Sequence, residues 1–331
     1  MPDWSRFVEI VDAHQRFIIT SHVRPDCDAL GSELAMAAVL ESRGKDVLVV
    51  NAHPTPPNYR FLDPEEKLKT LGTDVAADEL DAYDVLIVLD TSAWAQLGTM
   101  ADVVRSFGGV KAVIDHHVSG DDLGAEDFKN VKAEATGRLV IEAADALGAE
   151  LTPRIADWAF AALATDTGWF RFSSTSAQTY RLAARLVEAG VKPAELYQNL
   201  YEDDTLARLQ LIGHTMARTK VELAGRLIHT YIELADFEAT SAHPADSEDM
   251  INMTLGVSGT EVAVIFVEQK TGGFKISFRS RSDVDCSHIA EQFGGGGHKK
   301  AAGAFINEPL AAAQDRVLGA VRAAMNEDNQ M

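Results

Sequence analysis

Asp115, His116 and His117 close the strand-like segment VKAVIDHH, Val110–His117. Taking such ionisable groups out of water costs several kcal/mol unless they are paired or bind metal. An apolar strand that runs into three of them needs partners from elsewhere in the chain. His22 closes FIITSH, and the residues after it, RPDCDALGS, set Asp26 and Asp28 two apart, so that the cluster reads His-x-x-x-Asp-x-Asp. Asp90 closes VLIVLD, and Asp166 lies in ATDTGWFRFSS, at the end of an apolar helical stretch. Carboxylates interspersed with imidazoles suit Mn²⁺ or a related divalent ion, whereas an all-oxygen set would favour Mg²⁺ more strongly; thiolate clusters for structural zinc are absent from the sequence. Asp26, Asp28, Asp90 and Asp166 bring four negative charges, which two divalent cations would balance. Two ions roughly 3.5–4 Å apart could share Asp90, activate a bridging water as hydroxide and stabilise a phosphoryl oxygen.

Each residue also has a plainer role open to it. Asp28 could cap the helix that follows. Asp90 could begin a loop, Asp166 could pair with Arg171, and either histidine alone could be a satisfied structural residue. Convergence moves the balance, because one coarse fold takes these residues to the same edge.

The elements that must position them alternate. FIITSH (Phe17–His22), DVLVVN (Asp46–Asn51), VLIVLD (Val85–Asp90) and VKAVIDHH are short β-branched runs. Helical stretches are expected at Ala29–Arg43, Gly137–Leu147, Pro153–Ala164 and Ser176–Ala189. Alternation of this kind implies a doubly wound parallel sheet, with both faces covered because the strands are continuously apolar. In such sheets functional groups gather at the carboxyl ends of the strands. After a polar helical stretch, roughly 204–222, the pattern changes. RLIHTYIEL, TEVAVIFVEQ and GFKISFRSR suggest three strands; a helix over Cys286–Phe293, the strand AAGAFIN and a last helix near Pro309–Met325 follow. The expected organisation is therefore an α/β domain over 1–195 with the metal site, a helical connector over 196–222, and a smaller α/β domain with a mixed sheet over 223–331. A length of 331 residues agrees with two cores better than one.

The formal net charge is −20. Proteins that hold long nucleic acid mainly through phosphates rely on basic surfaces, so a phosphate substrate here should be small or held by a local cationic site, and duplex DNA is not an expected partner. The first residues lack a basic region followed by an apolar stretch, no run approaches a membrane span, and Cys27 and Cys286 lie far apart. These features suggest a cytoplasmic protein with no membrane partner.

The four ordered clusters, together with GGGGHKKAAG at Gly294–Gly303, resemble the DHH phosphoesterase family and its DHH-associated C-terminal domain over nearly the whole chain. Length and layout are most similar to the bacterial nano-RNase and pAp-phosphatase subgroup, whose relatives include enzymes that cleave linear or cyclic dinucleotides. The resemblance implies that His22 and Asp26 bind one metal ion, that Asp28, His116 and Asp166 bind the other, and that Asp90 bridges. It implies two Mn²⁺ ions, with Mg²⁺ or Co²⁺ as substitutes. Asp115 would orient a ligand or water, and His117 would contact the substrate phosphate and assist proton transfer. Cys27 stands where many relatives carry glycine.

Four consecutive glycines exceed what a helix C-cap needs. Their amides could form an anion-binding concavity from Gly295, Gly296 and Gly297 beside His298, Lys299 and Lys300. Arg279 in SFRSR suits a phosphate or base contact, while Arg281 reads as a solvated charge. With the metal edge and this loop facing each other across a cleft, the second domain would supply grip and the first hydrolysis. The expected activity is Mn²⁺-dependent hydrolysis of short oligoribonucleotides, pAp or dinucleotides. Rival readings are a single-strand exonuclease, a pyrophosphatase or polyphosphatase, and a non-catalytic nucleotide sensor. Apolar elements at an exposed edge could also make a homodimer.

Overall fold

The structure is a computed structural model that describes residues 2–118, 120–202, 205–248 and 250–328. The chain divides into two compact units, 1–203 and 204–331. In the first, α1 (Trp4–Ala13), β1 (Arg16–Thr20), α2 (Cys27–Ser42), β2 (Asp46–Asn51), β3 (Leu68–Thr70), β4 (Val85–Leu89), α3 (Met100–Ser106), β5 (Val110–Ile114) and β6 (Glu126–Asp127) precede four helices. These are α4 (Thr136–Ala146), α5 (Pro153–Asp166), α6 (Ala177–Glu188) and α7 (Pro193–Tyr201).

The sheet runs β3-β2-β1-β4-β5-β6, and every pairing is parallel. Strand order reverses between β1 and β4, which is where an open parallel sheet leaves a crevice beyond its carboxyl ends. Alternation along each strand feeds two cores. Phe17, Ile19, Val85, Ile87 and Leu89 join the cluster built with α1, α2, α4 and α5, while Ile18, Leu86 and Val88 join the cluster beside α3. Both faces are covered, as the apolar strands require.

The strands stop short of the expected site residues. β1 ends at Thr20, β4 at Leu89 and β5 at Ile114, so His22, Asp90 and the Asp115–His117 triplet lie on the loops just beyond. β3 and β6 are short flanking strands that have no apolar run to announce them. Helix α2 is buried nearly all round, as a helix sandwiched between a sheet and other helices must be. Gly31 makes its contact with α5 possible: a Cβ there would stand 2.6 Å from the Trp158 carbonyl oxygen.

The second unit holds α8 (Leu206–Ala217), β7 (Lys220–Glu222), β8 (Leu227–Ile232), α9 (Leu234–Thr240), α10 (Met250–Leu255), β9 (Val262–Glu268), β10 (Phe274–Ser280), α11 (Cys286–Glu291), β11 (Gly296–His298), β12 (Ala301–Ile306) and α12 (Leu310–Asp328). Its sheet is mixed, in the order β11-β12-β10-β9-β8-β7, with β8 and β9 parallel and the remaining pairs antiparallel. Here too alternate residues serve two cores, Val262, Val264 and Phe266 on one face and Ala263, Ile265 and Val267 on the other. The stretch 196–222, read from sequence as a connector, is divided between the units. Within the second, α8 buries Leu211 and Thr215, and the Thr230 hydroxyl of β8 donates to the Thr215 carbonyl at 2.6 Å. No helix of the described residues is long and apolar enough to cross a membrane.

Candidate metal centre

Three loops and two helices bring the expected ligands together at the sheet edge. Asp26 is the N-cap of α2, its Oδ1 accepting from the backbone N–H groups of Asp28 and Ala29 at 3.0 and 3.1 Å. The cap is therefore Asp26, and Asp28 has another task. Asp28 is buried, and its carboxylate accepts from the backbone N–H groups of Thr136 (2.8 Å) and Gly137 (2.9 Å) at the start of α4 and from Ser32 Oγ (3.2 Å). Asp90 has φ +61° immediately after β4, a left-handed conformation that is uncommon outside glycine and is found where a position is under functional constraint. Its amide donates to the Ile114 carbonyl at 3.0 Å and its Oδ1 accepts from Thr136 Oγ1 at 2.8 Å.

Two imidazoles are oriented in the same way. His22 Nδ1 bonds the Val23 carbonyl at 2.9 Å and His116 Nδ1 the Ala133 carbonyl at 3.2 Å. A carbonyl accepts only, so Nδ1 carries a proton in each ring and Nε2 is the nitrogen that a metal could claim on displacing its proton, the arrangement typical of metal-ligating histidines. His22 Nε2 faces Asp90 Oδ2 at 3.4 Å and Asp26 Oδ2 at 3.9 Å. His116 Nε2 faces Asp90 Oδ1 at 3.5 Å, Asp166 Oδ2 at 3.5 Å and Asp28 Oδ2 at 3.7 Å. The donor atoms of His22, Asp26 and Asp90 lie within 4.8 Å of one another, as do those of Asp28, His116 and Asp166. Asp90 stands between the two groups with one oxygen towards each.

This set fits divalent cations. The gaps of 3.4–3.9 Å exceed an ordinary hydrogen bond and are slightly wider than the separation of about 3.0–3.4 Å between two ligands of a common ion. Charge points the same way. Burial, with the charges of Asp90, Asp166 and Asp26, pushes the Asp28 carboxyl well above its usual range. Burial and the Asp90 and Asp26 charges lift Asp166 to about 6 against the opposing pull of His116. For His22 burial acts downward, yet the Asp90 carboxylate facing Nε2 and the Val23 carbonyl on Nδ1 prevail and raise it to about 9. Carboxylates crowded this closely hold protons for want of positive charge, and cations would supply it. The alternative partner for Asp166 is not taken up: Arg171 Nε donates to the Gly168 carbonyl at 2.7 Å.

Asp115 and His117 stand beside this cluster. Asp115 is wholly buried, and His117 Nδ1 meets its Oδ1 at 2.9 Å and lies 3.8 Å from Asp90 Oδ1. Burial opposes ionisation of Asp115, but bonds from His117, Ser92 and Lys129 hold its carboxyl down at about 2. Thr136, Ser92 and Lys129 are absent from the sequence-based set. A threonine opening a helix and a lysine after a two-residue strand carry no local sign of reaching carboxylates 46 and 14 residues away.

Two family models match the chain: "DHH family, N-terminal domain" over residues 16–163 and "DHHA1 domain" over 225–327. The "Bifunctional oligoribonuclease and PAP phosphatase NrnA" of Thermus thermophilus is 33% identical over 92% of this chain and 88% of that protein. This chain belongs to the DHH family. The Bacillus subtilis protein of the same name is 26% identical over 91% of the chain and 93% of that protein. A crystal structure of an exopolyphosphatase-related protein from Bacteroides fragilis superposes with a TM-score of 0.86 at 23% identity, covering 98% of this chain and 95% of that one; it speaks for the fold. Members of the DHH family are metal-dependent phosphoesterases, and this chain is accordingly a hydrolase.

In the DHHA1 domain the glycine run is a hairpin strand. Gly296, Gly297 and His298 form β11, paired with β12 through Gly303, Ala302 and Ala301. Gly294, at φ +71°, ends α11. A Cβ at Gly295 would stand 2.1 Å from the Gly303 carbonyl oxygen, and one at Gly297 2.6 Å from Ala302 Cα. These two glycines let β12 approach, a packing reason that the anion-concavity expectation did not include; Gly296 has open space. Arg279 pairs with Ala301, and Ala301 with His298. Residues in register across a sheet share a face, so Arg279 and His298 point to one side with only a methyl between them. Lys299 lies 3.6 Å from Asp283, and Lys300 donates to the Ser282 carbonyl.

Proposed function

We propose that this DHH-family chain hydrolyses phosphoester bonds in short oligoribonucleotides and in pAp, the substrate classes in the names of its relatives, with linear dinucleotides in the same range. The observation that carries the reading is the pair of ligand groups that meet at Asp90. His22, Asp26 and Asp90 would hold one divalent ion and Asp28, His116, Asp166 and Asp90 a second, with Mn²⁺ the expected metal and Mg²⁺ or Co²⁺ substitutes. Bound there, the ions supply Lewis acidity, lowering the pKa of water and drawing charge from a phosphoryl oxygen.

The remaining work belongs to side chains. Asp90, Asp28 and the two carbonyl-tethered imidazoles are set before substrate arrives, so little reorganisation is needed during reaction. His117, half-exposed and held through Nδ1 by Asp115, offers Nε2 to the phosphate and to the leaving oxygen. Water oxygen joins phosphorus, the bond to the leaving oxygen breaks, and one proton of the water ends on that oxygen. The carboxylates nearly cancel the metal charge, so a multiply charged nucleotide needs further cations. Arg279 and His298, on one face of the second sheet, with Lys299 nearby, are proposed to supply them. An overall charge of −20 favours short substrates over duplex DNA. Both cysteines are free and buried, in keeping with a reducing compartment.

Mn²⁺-loaded protein should be offered pAp, a five-nucleotide RNA, linear and cyclic di-AMP, and pyrophosphate. Turnover of pAp or the short RNA is the expected result. Binding without turnover of any of them would replace this reading with a nucleotide sensor.

A further inference from the structure

Three hydrogen bonds and one ion pair converge on Asp115 and engage both of its oxygens. His117 gives two to Oδ1, from its backbone N–H and from Nδ1, each at 2.9 Å. Oδ2 receives Ser92 Oγ at 2.8 Å and Lys129 Nζ at 3.1 Å. Each oxygen of the carboxylate is thus held from two sides. Lys129 also donates to Ser92 Oγ at 2.8 Å, which fixes the serine as acceptor from lysine and donor to aspartate. Ser92 comes from the loop after β4 and Lys129 from the residues after β6. Gly120 and Asp121 lie against this pair. Asp121 N–H donates to the Ser92 carbonyl at 2.8 Å, and a Cβ on Gly120 would lie 2.0 Å from Ser92 Oγ and 2.9 Å from Lys129 Nζ.

We propose that Lys129 and Ser92 are positioning residues for His117: by holding Asp115 Oδ2 they aim Oδ1 at His117 Nδ1, and so fix the imidazole with Nε2 outward. The torsion that turns an aspartate carboxylate is soft and broad. The His117 backbone N–H holds Oδ1, Ser92 and Lys129 hold Oδ2, and the two sides together select one orientation of the group; a turn of the carboxylate would carry the imidazole with it. Oδ1 accepts the His117 backbone N–H and meets Nδ1 of the same residue at 2.9 Å, so Nδ1 stands where a donor is required. Nδ1 of His117 therefore keeps its hydrogen whatever Nε2 carries, and Nε2 is the position left to exchange a proton with substrate. A lysine that merely offset a buried charge would not need the serine bridge or the glycine that leaves room for it.

The inference rests on His117 being the group that meets the phosphate, and the test separates the two. In metal-free full-length protein, the Nδ1–H proton of His117 should appear downfield of the amides in a proton NMR spectrum and vanish in His117→Gln. Lys129→Met and Ser92→Ala should broaden or shift it, and Lys129→Arg should restore it. In Mn²⁺-loaded protein, Lys129→Met should lower kcat on a dinucleotide by about 10–100-fold with KM nearly unchanged. It should cause no further loss in a His117→Gln background. Gly120→Ala displaces the same pair from outside and gives the same readouts should Lys129→Met fail to fold. An unchanged resonance in Lys129→Met, or an equal fold-loss with and without His117, overturns the proposal. A resonance that responds in a protein inactive on every substrate leaves the positioning role standing and removes the functional reading.

Discussion

The two units set out their charged groups in opposite ways. At the edge of the first sheet, Asp28, Asp90 and Asp115 are each at most 2% exposed, and both candidate ligand imidazoles are tied by Nδ1 to a backbone carbonyl. On the second sheet, His298, Lys299 and Lys300 are exposed, and Arg279 is half-buried with a bond to the Phe278 carbonyl at 3.0 Å. Buried groups fixed by several bonds are preorganised and strong in a low-dielectric setting. Exposed cations keep their freedom and are screened by salt. The first arrangement suits making and breaking bonds, the second catching a charged substrate. The contrast therefore predicts that damage to the first unit appears in kcat and in metal affinity, and damage to the second in KM and in its salt dependence.

The largest effect should come from Asp90→Asn. Replacing the carboxylate between the two ligand groups removes charge from both, and since such Lewis-acid contributions amount to several kcal/mol, turnover should fall by about 10³-fold or more. Circular dichroism should show the fold retained while calorimetric Mn²⁺ titration shows weakened binding; an active variant would erase the distinction between the units. Metal removal comes next. A ligand at 100 times its Kd stabilises the native state by about 2.7 kcal/mol, so Mn²⁺ should raise the melting temperature of wild type and of Arg279→Ala alike, and a chelator should reverse it. Should Arg279→Ala abolish the shift, the arginine would belong to the metal region instead. On substrate, Arg279→Ala should raise KM about 10-fold or more, a charged hydrogen bond contributing about 1.5–3 kcal/mol, with kcat changed far less. Lys299→Ala should raise KM only a few-fold, and that difference should fade towards 1 M salt, where the screening length is about 3 Å.

The same contrast governs what could be read without a structure. The gathering of the candidate site at one edge was legible because β-branched runs ending in His22, Asp90 and Asp115 are local signals, and because a parallel sheet carries strand ends to one side. Which aspartate caps α2 was not legible. Asp26 and Asp28 both precede the helix, and only the arrival of the α4 N-terminus shows that Asp28 is enclosed. Thr136, Ser92 and Lys129 escaped for the same reason, since their partners are 46, 23 and 14 residues away. The left-handed Asp90 is likewise invisible in a run that reads as plain strand. In the second unit the glycine run was visible but its geometry was not, because the need for Gly295 and Gly297 arises from how closely β12 approaches. Helices α9 and α10 and the short β7 lacked a long apolar repeat to mark them.

The smallest expected effect on turnover, from Glu33→Gln, probes burial alone. Glu33 lies on α2 with no exposure, accepts from Asn51 Nδ2 at 2.9 Å, and is pushed up to about 7 by burial, which the Asn51 bond only partly offsets. In the unfolded chain the same carboxyl ionises near its ordinary value of 4.5. Between those two values the native state holds a proton that the unfolded state has released, so its contribution to stability, complete below 4.5, is lost as pH rises through 7. Glutamine keeps the shape and an acceptor for Asn51 but cannot ionise. Melting temperatures of metal-free protein should therefore fall less steeply between pH 5 and about 7.5 in Glu33→Gln than in wild type, while Mn²⁺-loaded turnover at neutral pH stays within about two-fold. Arg279→Ala should leave the steeper wild-type slope untouched, because it removes no buried carboxyl. Parallel curves for wild type and Glu33→Gln would mean that Glu33 is already ionised in the native protein, and the buried edge would then differ from the exposed hairpin in position but not in how it meets a change of pH.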